Sequence, residues 1–157
     1  MAGIAVLAGD GDLPKWAPRL KRFAAAVLAN RGLSGRGLSV LLCGDREMAE
    51  LNRAWRGKDE PTDILSFGGE AEGEFPAGTG KSYLGDIAIS LESLAENARR
   101  FGVAEDEELR RLIIHGILHL GGMDHESNET DEPMLRLQET ILEELSERRI
   151  LPERGSA

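Results

Sequence analysis

The chain has one cysteine, Cys43, among its 157 residues. One thiol cannot form an internal disulfide framework, and its presence suits a reducing compartment. No apolar run approaches the length of a membrane span. The N-terminal run Ile4–Ala8 is short, has no basic stretch before it and is followed by Asp10 and Asp12, so it does not read as a signal peptide. These features lead to a cytoplasmic location with no membrane partner. Aromatics make up 4% of the chain, too few for a base-stacking surface of the usual kind, and Trp16, Trp55 and Phe67 read as core or core-edge. There is no repeat, low-complexity segment or interdomain linker. Histidine is also scarce, with three in all, and every one lies between residues 115 and 125.

What is present is a chain of single-domain length with an ordinary 41% hydrophobic content. The net charge of −9 is unevenly spread. Residues 1–60 hold ten Lys/Arg and seven Asp/Glu, a net of +3, and the remainder holds nine and 21, a net of −12. Either solvated helix faces simply differ in sign, or the basic first part faces phosphates while acidic helices point away.

Periodicity sets out the elements in order. Ile4–Ala8 suits a short edge strand. Trp16, Leu20, Phe23, Ala24, Val27 and Leu28 recur at helical spacing, with Pro14 in the first turn. Leu38–Cys43 reads as a buried strand. Asp45 is a candidate N-cap for a helix through Met48, Leu51, Asn52 and Trp55 that stops at Gly57. Pro61 ends any helix, and Thr62–Phe67 alternates as a strand. Gly68–Ser82 is glycine- and glutamate-rich and reads as an exposed loop. Tyr83–Asp86 leads into a strand at Ile87–Ser90. A helix from Leu91 to Phe101 closes at Gly102, and four acids at Glu105–Glu108 open the next, which runs to His119. Asn128–Asp131 can cap a last helix through Met134, Leu137, Ile141 and Leu145, and residues 151–157 read as a frayed tail. The sum is a single α+β domain, residues 1–157, with a small mixed sheet of three to four strands and about five helices.

The most informative stretch is His115-Gly-Ile-Leu-His119-Leu-Gly-Gly-Met-Asp-His125. Residues four apart on a helix share a face, and Gly121-Gly122 offers the left-handed turn that closes a helix and can bring His125 back toward the first two. Burying three imidazoles among Leu112, Ile113, Ile114, Ile117, Leu118 and Leu120 would cost several kcal/mol unless they are coordinated or bonded. Three neutral imidazoles suit a zinc site with an open fourth position on a central helix, although nickel, copper or iron suit the same ligands. Such ligands leave the full charge on the metal and bring the pKa of bound water toward about 7. The spacing fits the metzincin peptidase pattern H-E-x-x-H-x-x-G-x-x-H, except that Gly116 stands where those enzymes carry a general-base glutamate. The base must then be metal hydroxide or a carboxylate from elsewhere. Asp124 and Asp86 are the candidates, although Asp124 can equally orient a ligand and Asp86 can equally start its strand.

The segment resembles more closely the YbeY family of bacterial endoribonucleases, whose pattern H-G-x-L-H-L-x-G-x-D-H is matched at every fixed position. The similarity extends to R-G-K-D-x-P-T-D-x-L-S-F at Arg56–Phe67 and to L-G-D at Leu84–Asp86. It implies a single-domain α+β metallo-endoribonuclease acting on single-stranded RNA. Its roles would be small-subunit ribosomal RNA 3′-end maturation and ribosome quality control, beside the small ribosomal subunit and its assembly factors. The family's arginine in the metal-site cleft falls on Arg56, whose planar fork can hold a phosphate by two parallel hydrogen bonds. A metallopeptidase, suggested by the ligand spacing, and a non-enzymatic ribosome-assembly factor with a structural metal remain as alternatives.

Overall fold

A computed structural model of the chain describes residues 3–9, 11–58, 62–68, 83–123 and 132–152. Among these are four strands and five helices, in the chain order β-α-β-α-β-β-α-α-α. The strands are β1 (Ile4–Ala8), β2 (Gly37–Cys43), β3 (Ile64–Gly68) and β4 (Tyr83–Ser90). The helices are α1 (Ala17–Asn30), α2 (Asp45–Arg56), α3 (Leu91–Phe101), α4 (Glu105–Leu120) and α5 (Pro133–Glu144). One sheet has the order β1-β2-β4-β3, with β1, β2 and β4 parallel and β3 antiparallel on the β4 edge. The fold is α+β with a mixed sheet, as the pattern of elements implies.

Register decides which side chains share a face, because alternate strand residues point oppositely. Val40 pairs with Ile87, and Ile87 with Ser66, so these side chains lie on one face with Leu38, Leu42, Ile89 and Ile64. That face carries the main core. α1 contributes Leu20, Phe23, Ala24 and Val27 to it, and α4 contributes Leu109, Ile113, Ile114 and Ile117, all buried. Each of the larger of these side chains, Ala24 apart, contributes about 1.5–3 kcal/mol of burial. α4 is buried on nearly every side because it packs on the sheet and against α1, α3 and α5. The opposite face holds a smaller cluster, in which Met48 of α2 packs with Cys43, Leu65 and Ala88.

Several local expectations shift by a residue or a role. α1 starts at Ala17 with Pro18 in its first turn, so Pro14 precedes the helix. Asp45 is the first residue of α2 and not its cap; the cap position is Gly44. The Glu92 carboxylate accepts from the Asp45 backbone N–H at 2.8 Å, which frees the Asp45 carboxylate to accept from the Ser90 and Ser93 hydroxyls at 2.6 and 2.5 Å. These bonds tie the start of α2 to the start of α3. β4 begins at Tyr83, earlier than alternation alone suggested. Trp55 is not core; it is 68% exposed, and Phe67 is half-buried beside it. Of the expected loop, Gly68 ends β3, and residues 69–82 lie outside the described residues, as do Asn128–Asp131.

A buried carboxylate anchors the end of the described chain to α4. Asp106, 2% exposed, accepts from the backbone N–H groups of Ile150 and Leu151 at 2.7 and 2.8 Å with one oxygen. With the other it accepts from Arg110 Nε at 2.9 Å. Of the tail expected to fray, Leu151 is therefore held, and residues 153–157 lie outside the described residues.

Candidate functional site

α4 presents His115 and His119 on one face, their rings meeting edge to face with centroids 4.7 Å apart. The helix ends just beyond them in a Schellman turn. Met123 N–H reaches Leu118 C=O, Gly122 N–H reaches His119 C=O, and Gly122 takes the left-handed conformation at φ 103°. Of the glycine pair, Gly122 therefore supplies the expected turn, and Gly121 stays near helical at φ −80°. The third histidine, His125, and Asp124 lie outside the described residues.

Both described imidazoles line a cleft of about 570 Å³ between the end of α4 and edge strand β3. Ser66 and Gly68 of β3 form another wall, and Arg56 closes it. Arg56 arrives from the last turn of α2, a position the macrodipole favours for a cation, where Gly57 at φ 70° closes the helix. Arg56 and the two histidines, 59 or more residues apart in sequence, are thus brought together.

Gly116 explains why α4 can lie so close to the sheet. A Cβ at this position would fall 2.7 Å from Ile87 Cδ1 and 3.2 Å from Ile64 Cδ1. A glutamate there would be driven into the sheet core and away from the imidazoles. The general-base position of the metzincin pattern is therefore filled by close packing.

His115 is oriented by a residue that the sequence reading did not single out. Gln138 Oε1 of α5 lies 2.6 Å from His115 Nδ1. The amide orientation follows from its other end, since Gln138 Nε2 donates to Glu139 Oε2, an acceptor-only group, at 3.1 Å. Oε1 therefore faces the ring and Nδ1 carries the proton, so in the neutral imidazole Nε2 is the nitrogen with ligand character. Arg111 holds Glu139 by two bonds of 2.9 and 3.1 Å. Burial alone would raise the Glu139 carboxyl, but the bonds from Arg111 and Gln138 hold it below the ordinary range. The signal in the sequence is a polar residue in an apolar helical stripe. Gln138 sits between Met134 and Ile141 at core spacing and is buried with them. Should the imidazole pair hold zinc, Gln138→Leu is expected to weaken its binding by roughly 10–100-fold. Competition with a chromophoric chelator reads this, and unchanged affinity would remove Gln138 from the site.

Asp86 is not brought to the histidines. Its register partners are Ser39 and Phe67, which places its side chain on the face of the sheet opposite Ser66 and α4. There it accepts a hydrogen bond from the Tyr83 hydroxyl. Burial, and then Asp86, raises the Tyr83 pKa above its ordinary value. Cys43 also stays apart from the site. It is buried, its pKa is pushed up to about 11 by burial and by Glu47 and Asp45, and its thiol donates to Ile89 C=O.

Among the described residues no helix is long and apolar enough to cross a membrane. The sequence model of one protein family, Endoribonuclease YbeY, matches residues 12–146. A relative of that name from Treponema pallidum is 50% identical over 131 residues, which cover 82% of this chain and 81% of the relative. Another, from Aquifex aeolicus, is 41% identical over 130 residues, which cover 82% and 83%. The solution structure of TM1509 from Thermotoga maritima matches 98% of this chain and 99% of its own at 29% identity, with a TM-score of 0.62.

Proposed function

The chain belongs to the YbeY endoribonuclease family, and from that premise we propose that it is a zinc-dependent endoribonuclease that cuts single-stranded RNA in the histidine cleft. The observation that carries the reading is the His115–His119 pair, with His115 held as the Nδ1–H tautomer, sharing one cleft with Arg56. His115, His119 and His125 would hold the metal, and their all-imidazole chemistry fits zinc with one position left for substrate. When bound, the metal supplies Lewis acidity at the scissile phosphate.

The rest falls to the chain's own side chains. Arg56 binds a non-bridging phosphate oxygen pair through its planar guanidinium and offsets the charge that develops there. Gln138 keeps the His115 proton on Nδ1. Asp124, the chain neighbour of His125, would be the carboxylate that accepts a proton from the attacking oxygen. Asp86, on the far face of the sheet, takes no proton in this scheme. The packing at Gly116 leaves no room for a peptidase base, which weighs against the peptidase reading. We place the substrate in ribosomal RNA, the small-subunit 3′ end first, with a part in ribosome quality control. The small subunit and its assembly factors are the partners, in the cytoplasm.

The test is cleavage of an end-labelled single-stranded ribosomal RNA fragment by zinc-loaded protein, beside Arg56→Ala. The parent is expected to cut, and Arg56→Ala to cut about 10²–10³-fold more slowly, as for loss of a donor to a developing charge. A 2′,3′-cyclic phosphate on the product would identify the 2′-hydroxyl as the nucleophile, and a 5′-phosphate with a 3′-hydroxyl would identify water. If neither protein cuts while mass spectrometry shows bound zinc, the nuclease reading fails and the assembly-factor reading takes its place.

A further inference from the structure

We propose that Trp55 and Phe67 form a stacking platform for one unpaired base of the RNA strand whose phosphate enters the histidine cleft; the inference rests on the nuclease reading above.

The starting point is an exposed aromatic that the fold does not use in its core. Trp55 is 68% exposed, and Phe67 braces it with ring centroids 5.6 Å apart at a 57° tilt. Together they line a second cleft, of about 560 Å³, on the face of the sheet away from the histidines. Leu7, 52% exposed, with Leu41 and Leu51, makes the remainder of the cleft largely apolar.

Two features choose a nucleic-acid base as the occupant. The first is continuity. Trp55 precedes Arg56 in α2, and Phe67 follows Ser66 in β3, so each aromatic in this cleft is the chain neighbour of a residue lining the histidine cleft. Among the described residues β3 is an edge strand, and a polymer passing from one cleft to the other rounds that strand. The second is charge. Two cations, Arg56 and Lys58, lie at and just beyond the end of α2, whereas the polar groups lining the aromatic cleft include Ser39 and the Asp86 carboxylate. A carboxylate repels phosphate and accepts hydrogen bonds from the N–H groups of a base. The backbone is therefore directed to the Arg56 side and the base to the aromatic side. Aromatic stacking tolerates any base, because every base has a π face.

The experiment separates this proposal from the nuclease reading by measuring binding apart from cutting. In Trp16→Phe protein, Trp55 is the sole tryptophan, and its emission is titrated with a short single-stranded RNA. Cleavage of the same oligomer is followed in parallel. Quenching of Trp55 supports the platform whether or not the oligomer is cut. Trp55→Ala is then expected to raise the KM for RNA about ten-fold with kcat retained, and Trp55→Phe to restore most of it. An abasic residue at the stacked position should cost the parent a similar factor and cost Trp55→Ala nothing further. Cutting without quenching, or an unchanged KM in Trp55→Ala, overturns the platform and leaves the nuclease reading standing. Absence of both quenching and cutting overturns both. Sedimentation gives one more outcome: a dimer that Trp55→Ala dissociates and that RNA does not quench would make this cleft a self-association face and overturn the platform.

Discussion

His119→Ala is expected to give a folded protein that no longer retains zinc and cuts RNA on the order of 10³-fold more slowly. The magnitude follows from what is removed. A metal's Lewis acidity provides several kcal/mol of transition-state stabilisation, and each 1.36 kcal/mol is a factor of ten in rate. The fold should tolerate the change, because His119 is only half-buried at the end of α4, and the Schellman turn that closes the helix uses backbone groups alone. Alanine also raises helix propensity at this position. Elemental analysis of the purified protein, a thermal melt and RNA cleavage are measured on one preparation beside the parent. Retained cleavage with lost zinc would show that the metal is not catalytic. Equal cleavage by both proteins would show that the activity does not come from this cleft. His115→Ala should be equally inactive but less stable than His119→Ala, because it also strips Gln138 Oε1 of its hydrogen-bond donor.

Asp106→Ala is expected to lower stability by about 3–5 kcal/mol, the usual cost of removing one partner of a buried ion pair. For a chain of this size that corresponds to a fall in Tm of roughly 10–15 °C. The variant leaves the Arg110 guanidinium, whose side chain is 9% exposed, without its 2.9 Å partner. It also leaves the backbone N–H groups of Ile150 and Leu151 without their acceptor. Asp106→Asn should fall between the parent and alanine, since its carbonyl can keep the two backbone bonds but carries no charge for Arg110. Asp106→Leu combined with Arg110→Leu should recover part of the loss, because replacing both partners removes the uncompensated charge. Denaturant melts of the four proteins measure this, and a loss below about 1 kcal/mol in Asp106→Ala would show that water replaces the carboxylate at little cost. The residue lies in the first turn of α4, about 20 Å from His119 at 1.5 Å per residue, so activity per folded molecule should be unchanged.

The two variants probe information that the sequence carries very unequally. The histidine pair was legible because helical periodicity is a local property. Once residues 105–120 are helical, a four-residue spacing fixes which side chains share a face, and the apolar residues around them mark that face as buried. Arg56 was legible only through its motif, since its place in one cleft with His115 and His119 is set by the folded chain and no local pattern records it. Asp106 gave no such signal. It stood as one of four acids suited to a helix start, and its burial depends on Arg110 and on the return of Ile150 and Leu151, 44 and 45 residues away. Asp86 shows the converse. Its neighbours Leu84 and Gly85 fit the motif as well as Arg56 does, yet strand parity turns its side chain to the face without histidines.

The sequence by itself determined the order and kinds of the elements, the α+β class, the faces of the helices and the family, because these depend on spacings within about twenty residues of chain. Tertiary structure alone decided which face of the sheet each strand residue takes. It placed Gln138 behind His115, filled the space beside Gly116, and left Trp55 in solvent. A strand's two faces are equivalent until packing chooses between them, and a polar residue in an apolar stripe has no role until its partner arrives from another helix.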